Sequence, residues 1–351
     1  MKIALISCHS IRYMPYLSLY KRAVEEVGAE YIIINEHEIS DILDEHQIVY
    51  RGDYKSGFYN KLKNYRKWRK FVIQTVKDYK VDKIVFLTPW APIKLFDVCS
   101  GKWRKNYILD IRDYSSESVS WFRALEHKII SNALFTVISS KGFLRWLPSN
   151  EKYHVAHNMP AFYKEKDECI AFQKDKIKIG YIGLVSYFPQ NCALVSKTKD
   201  SNYEMIFSGA IEKSCPIETF CEEQHFDHVR FTGPYNNSEK ESLYRDIDFI
   251  NAVYGNHTEV VCSALPNKLY DCLIYKIPMI VSSGTYLAEI VENNGLGIAI
   301  DTEKENFLEK IDGYVKCFDR ESFVKNCKNL LQLCKDEQDE TVNAIKKVFC
   351  Q

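Results

Sequence analysis

The chain has 351 residues, 47 basic and 47 acidic side chains, 46% hydrophobic and 27% charged residues. This composition excludes a disordered chain, and zero net charge argues against a general nucleic-acid binder. The zero is a cancellation. Residues 1–165 hold 26 Lys and Arg against 18 Asp and Glu, and residues 166–351 hold 21 against 29. Such asymmetry hints at a surface partner for the basic half.

The first ten residues carry an apolar run too short for a secretory leader and read as a buried strand over 2–7. A helix over 16–27 and a strand over 30–35 follow. The pattern then predicts a long helix over 58–79, strands over 83–87 and 107–111, a helix over 120–131, a strand over 134–139 and a helix start at Lys141. A proline and a charge-rich stretch break the periodicity over 157–176, which reads as a linker. The pattern restarts with strands over 177–182, 203–208 and 228–231, running toward Gly183, Gly209 and Gly233. A strand over 248–252, a helix over 265–275, a strand over 279–281, a helix over 286–293, a strand over 297–301 and a closing helix over 321–349 complete the chain. Strands alternating with helices imply parallel β-α-β units. The expectation is two α/β domains, 1–165 and 166–320, with 321–351 as a helical segment packing back on the first. Ligands belong where strand C-termini meet helix N-termini. No apolar stretch reaches the ~18 residues of a spanning helix. The twelve cysteines form no C-x-x-C pair, and Cys215, Cys221 and His225 fit no structural zinc spacing. A reduced, cytoplasmic protein is the natural expectation.

The most informative stretch runs from Ala264 to Asp301. Pro266 is pre-set for a helix start, with Asn267 and Lys268 in the first turn. Free N–H groups and the positive dipole end suit a phosphate there, and Lys268 adds a point charge. Asp271 lies one turn on and could accept the two hydroxyls of a ribose. Ser283 and Gly284 form a small-residue turn before the next helix, which carries Glu289. By spacing alone, a structural unit with a surface Lys–Asp pair is equally open.

These residues resemble the donor-site signature of glycosyltransferase family 4: Pro266-Asn267-Lys268-Leu269-Tyr270-Asp271, then Lys276-Ile277-Pro278-Met279-Ile280, then Gly284 and Glu289. Further stretches are similar to that family. They are Ile177 to Gly183, Leu109-Asp110-Ile111-Arg112-Asp113, Glu126-His127-Lys128, Ser139 to Phe143 and Val155 to Asn158. The resemblance implies the GT-B fold: α/β, two Rossmann-like domains with parallel sheets facing across a cleft. It implies a nucleotide-diphosphate sugar as donor, held by Gly183, Pro266, Asn267, Lys268, Asp271, Ser283, Gly284 and Glu289. It also implies hexosyl transfer with retention, without metal or cofactor, in surface or capsular polysaccharide assembly. Two features depart from the pattern. Ser263 stands at the first position of the family's E-x7-E pair, with Asp271 at the second. Ser7-Cys8-His9-Ser10 replaces the first-loop glycines. The alternatives are an inactive subunit binding a glycan or partner enzyme, and a GT-B sugar-nucleotide epimerase, for which no acid/base constellation is evident.

Three other features bear on chemistry. Asp246-Ile247-Asp248 has the D-x-D form of a metal-binding carboxylate pair, but Asp248 opens an apolar strand and reads as structural. Asp113, at a strand end, could orient or deprotonate an acceptor hydroxyl or could bond Arg112 and local backbone, and His9 in the first loop is a second candidate. In the helix over 58–79, Phe58, Leu62, Tyr65, Val72, Val76 and Tyr79 form an apolar stripe, with Trp68 among the surrounding Lys and Arg. This basic helix suits either an anionic membrane face or a solvated surface. A glycan or lipid-diphosphate acceptor at the inner face of the membrane would explain it, aided by Trp103-Arg104-Lys105.

Overall fold

The computed structural model describes residues 1–36, 44–52, 57–160, 162–172, 176–304 and 306–351; the Phe58 side chain of the expected apolar stripe lies outside the described atoms. The chain forms two compact units, residues 1–157 with 335–351, and residues 158–334.

The first unit runs β1 (Lys2–Ile6), α1 (Leu17–Glu26), β2 (Glu30–Glu36), β3 (Gln47–Tyr50), α2 (Phe58–Asp78), β4 (Lys83–Phe86), α3 (Trp90–Lys94), α4 (Phe96–Ser100), β5 (Tyr107–Ile111), α5 (Ser120–Asn132), β6 (Phe135–Ile138) and β7 (Tyr153–Val155). All strand pairs are parallel, in the order β3-β2-β1-β4-β5-β6-β7. Strands covered by helices on both faces read as unbroken apolar runs, and Ile3, Ala4, Leu5 and Ile6 are all fully buried. Strand order reverses between β1 and β4, the switch point where such sheets bind ligands. Sequence periodicity predicts no elements at β3, β7, α3 or α4. Each is only three to five residues long, too short to display a period.

Trp68 corrects the reading of α2. It is fully buried, in line with Val72 and Val76, and belongs to the core-facing stripe; Tyr65 and Tyr79 are instead exposed. Lys94 stands over its ring at 4.8 Å.

The second unit runs β8 (Ile177–Ile182), α6 (Phe188–Thr198), β9 (Tyr203–Ser208), α7 (Ile217–Glu223), β10 (Val229–Gly233), α8 (Lys240–Arg245), β11 (Phe249–Ala252), α9 (Glu259–Ser263), α10 (Asn267–Tyr275), β12 (Met279–Ser282), α11 (Tyr286–Asn293), β13 (Gly297–Ile300), α12 (Phe307–Lys316) and the start of α13 (Arg320–Phe349). Its parallel order is β10-β9-β8-β11-β12-β13, so its switch point lies between β8 and β11. Alternate strand residues supply the two faces. Ile250, Met279 and Val281 pack with Leu269, Leu273 and Cys327, whereas Phe249, Ile280 and Ile298 pack with Leu194, Ile217 and Ile311.

The first boundary falls before residue 165 for a visible reason. Lys276 is fully buried in a left-handed conformation that caps α10, and its Nζ reaches Glu165 at 2.8 Å. The Lys166 N–H donates to the Ile274 carbonyl at 2.9 Å. Both contacts tie the chain after 158 into the second unit.

α13 begins in the second unit, burying Phe323, Cys327 and Leu331. From Lys335 it belongs to the first unit, where Ile345, Val348 and Phe349 join Ile3, Tyr20 and Phe135. Glu337 anchors this stretch. It contacts His157 Nε2 at 2.8 Å and the Lys141 ammonium, and the His157 N–H donates to Gln338 at 2.8 Å. His157 and Lys141 hold the Glu337 carboxyl down at about 2, from 4.5. A depressed carboxylate contributes stability above its unfolded pKa and loses it as pH falls through the folded one. The melting temperature of wild type is therefore expected to drop more steeply than that of Glu337→Gln between pH 4.5 and about 2, measurable by thermal melts of both proteins across that window.

Candidate active site

Every site residue expected in the second unit can be located on its elements. The carboxyl ends of β8, β11 and β12 are neighbours in one parallel sheet. Gly183 follows β8 with φ +130° and donates its N–H to Ser208 O at 2.9 Å. Its carbonyl lies so close to Gly209 that a Cβ there would sit 1.8 Å from it, so only glycine fits at 209. Ser283 and Gly284 follow β12. Asn256 donates to Ser283 O at 3.0 Å, and the Gly255 N–H donates to Ser282 Oγ at 2.8 Å, joining the ends of β11 and β12. Glu289 is exposed in the first turn of α11.

Pro266 is the N-cap of α10 rather than its first residue, and no side chain caps this end. Asn267 is exposed there. Lys268 turns inward. Its Nζ donates to the Asn251 carbonyl at 2.8 Å, stands 3.1 Å from the Tyr181 ring centre and 5.2 Å from that of Tyr254. Tyr181 lies on β8 and Asn251 on β11, so the ammonium sits at the switch point of the second sheet. Burial drives its pKa well below the usual lysine value, with Asp271 opposing only in part.

The alternative of a surface Lys–Asp pair does not hold, because Lys268 and Asp271 are both buried and each has other partners. Nor is Asp271 an open carboxylate waiting for a ribose. Its Oδ1 accepts from Lys240 Nζ at 2.7 Å and its Oδ2 from Tyr244 OH at 2.8 Å, with the side chain 5% exposed. Ser263, at the position of the missing glutamate, is also buried, and its hydroxyl donates to Glu259 O at 2.5 Å. The D-x-D carboxylates are likewise consumed. Asp248 accepts from the Phe172 and Lys178 N–H groups at 2.7 and 2.9 Å, and Asp246 pairs with Lys178 and Arg230, each at 2.6 Å. Among the described residues, no three His, Cys, Asp or Glu side chains are grouped to hold a metal.

Sequence reasoning missed Tyr181, Tyr254, Asn251, Lys240 and Tyr244. Only Asn251 carried a signal, as a fully buried amide inside an apolar strand. It donates to Asn191 Oδ1 at 3.0 Å and accepts from the Val253 N–H at 3.0 Å. Tyr181 on β8, Tyr254 just after β11, and Lys240 and Tyr244 on α8 carry no local pattern.

In the first unit, His9 and Asp113 share the carboxyl edge of the sheet. His9 is exposed after β1, where its N–H donates to Ser7 Oγ at 2.9 Å. Asp113 is exposed after β5. Only β4 lies between those strands, a strand separation of roughly 10 Å. The local alternative for Asp113 is answered by geometry. Arg112 forks onto Asp110 at 2.5 and 2.7 Å and donates to Ala156 O at 2.7 Å. Tyr20 OH also donates to Asp110, at 2.5 Å. Desolvation raises the Asp113 carboxyl; Arg112 opposes this, while Glu117 and Asp110 add to it.

The architecture, two parallel α/β units of six and seven strands in Rossmann order, is the fold of the GT-B glycosyltransferases. The chain is similar over its whole length to sucrose-phosphate synthase from Thermosynechococcus elongatus (12% identity, TM-score 0.71, 100% of this chain and 99% of that one). It is similar to Anabaena HepE in complex with UDP (13%, 0.73, 99% and 100%) and to WaaG, a glycosyltransferase involved in lipopolysaccharide biosynthesis (9%, 0.62, 98% and 99%). No protein-family model and no curated protein matches the chain.

The Asp271 contacts carry a stability consequence. Asp271→Asn leaves Lys240 without its counter-charge and replaces an acceptor of Tyr244, and is expected to cost about 1–3 kcal/mol. Chemical denaturation of the variant beside wild type measures it.

Proposed function

We propose that the chain is a glycosyltransferase that takes a sugar from a nucleotide-diphosphate donor held by the second unit. The observation that carries this reading is Lys268. A buried ammonium at a sheet switch point, beside a helix N-terminus with no side-chain cap, has the charge and position to hold a diphosphate and to stabilise it as leaving group. HepE, of the same fold, is described in complex with UDP and with UDP-glucose, which makes UDP-sugars the first donors to test. Gly183 and Gly284 let backbone approach the donor. Pro266, Asn267 and Ser283 line the helix start and the neighbouring turn, with Glu289 beyond them. Asp271 reads the ribose through its remaining lone pairs, with Lys240 beside it. Transfer proceeds with retention and without metal, and the acceptor hydroxyl meets Asp113 and His9.

The acceptor is a lipid-diphosphate-linked glycan at an anionic membrane, in surface polysaccharide assembly. The support is α2. Lys61, Lys63, Arg66, Lys67 and Lys70 are exposed, Tyr59 is 85% exposed, and Trp68 and Val72 are turned into the core. Arg69 is not part of this face, because it pairs with Asp97 at 2.6 Å. Among the described residues no helix is long and apolar enough to cross a membrane, so contact would be peripheral.

An inactive binding subunit is the second reading, favoured by the buried Ser263 and the engaged Asp271. Hydrolysis of a UDP-sugar by the purified chain, or its stabilisation by one nucleotide diphosphate, favours the enzyme; no nucleotide binding in a thermal-shift panel favours the subunit.

Lys268→Met is expected to weaken UDP binding at least about tenfold, a loss of roughly 1.4 kcal/mol, in thermal-shift and calorimetric titrations. Stability should hold or rise. A lysine whose folded pKa lies below its unfolded one is protonated more readily in the unfolded chain, which disfavours folding below the unfolded pKa of 10.5. Changing Lys63, Arg66, Lys67 and Lys70 together to Gln should reduce pelleting with anionic vesicles by at least about tenfold, at roughly 1 kcal/mol per basic residue. Neutral vesicles serve as the control.

A further inference from the structure

Glu126 lies on α5, is fully buried, and neither of its carboxyl oxygens meets a donor among the described residues. It faces Glu117, which is also fully buried. The oxygens of Glu117 are directed at the segment between β5 and α5. Oε2 accepts from the Ser115 N–H at 2.5 Å and Oε1 from the Ser115 hydroxyl at 3.4 Å. Arg112 is not available to neutralise the pair, because its guanidinium is spent on Asp110 and Ala156.

Two buried carboxyl groups in contact do not both ionise, since repulsion adds to desolvation. One keeps its proton. Glu117 accepts from Ser115, whereas Glu126 meets no donor and holds the proton, which gives it an O–H to donate.

We propose that Glu126 and Glu117 share one proton, and that this O–H···O bond locks the 113–119 segment, with Asp113, onto α5. Glu126 is thus a positioning residue that acts through Glu117. Its bearing on transfer rests on Asp113 being the acceptor-side group; the shared proton does not.

The titratable groups against Glu126 are Glu117 on the segment and Tyr153 on β7, and Asp113 lies against Glu117. Tyr153 is raised above the ordinary phenol value by burial, Glu151 and Glu126, and stays neutral. Burial and Glu117 push Glu126 up to about 9 from 4.5. A carboxyl raised on folding must take up a proton, so its contribution to stability falls as pH rises from 4.5 to about 9. The lock is closed below that range's upper end and opens above it.

Hydrogen exchange of residues 113–119 in the full chain, corrected for intrinsic rates, tests this. Wild type should lose protection by up to about tenfold per pH unit above the transition, as one proton leaves. Glu126→Gln retains an N–H donor to Glu117 and should stay protected across the same range. Its melting temperature at pH 8 should equal or exceed that of wild type. Protection independent of pH in wild type, or a segment in Glu126→Gln already open at pH 7, overturns the proposal. If that variant does not fold, the infrared spectrum of wild type decides. A protonated-carboxyl stretch present at pH 7 and lost above pH 9 supports the shared proton, and its absence overturns it. A chain that binds no UDP but shows the alkaline loss of protection supports the proton pair and removes its catalytic meaning.

Discussion

The second unit is arranged around a buried ammonium that is held by a carbonyl and an aromatic face instead of a carboxylate. Lys268 has Asn251 O at 2.8 Å and the Tyr181 ring at 3.1 Å. A charged hydrogen bond contributes about 1.5–3 kcal/mol and a desolvated cation–π contact about 2 kcal/mol. Taking an ammonium out of water costs several kcal/mol. These contacts therefore do not fully offset burial, and the pKa falls. Asp271, which could have supplied the balance, is turned to Lys240 and Tyr244. An anionic ligand would complete what the protein leaves short. In the proposed donor site the surrounding geometry would serve the same end: a helix start without a side-chain cap, and glycines that let backbone come close.

The same accounting of donors and acceptors separates structural carboxylates from candidates for chemistry. Asp248, Asp246, Asp110 and Glu337 each hold two or more donors and fasten one element to another. Asp113 is left exposed at a strand end because Arg112 prefers the bidentate geometry with Asp110. Among the described residues, Glu126 is the exception among buried carboxyls, which is what singles it out. The D-x-D pair shows how sequence form misleads: its spacing suits a metal, but backbone N–H groups and two cations already occupy its oxygens.

The unit boundaries follow from particular side chains too. Glu165 ends the basic half by arithmetic, yet Lys276 draws it into the second unit. α13 is continuous over thirty residues, but its buried side chains change allegiance near Cys334, where the apolar partners change from Cys272 and Leu273 to Ile3 and Phe135.

Periodicity sufficed for most strands and long helices, because parallel strands buried on both faces leave unbroken apolar runs such as residues 3–6. The helix start at Pro266, the turn at Ser283-Gly284 and the sheet-ending glycines were legible for the same local reason: backbone conformation constrains residue type. The polarity split between halves was also there to count. Tertiary structure alone decided which way side chains turn and what they meet. It moved Trp68 into the core, closed Asp271 with Lys240 and Tyr244, and set Tyr181 and Asn251 around Lys268. It also brought Glu126 against Glu117. Those contacts join residues up to 87 positions apart, counting Lys268 against Tyr181, and no local pattern encodes them. A side chain's charge state depends on the burial and partners that such contacts create.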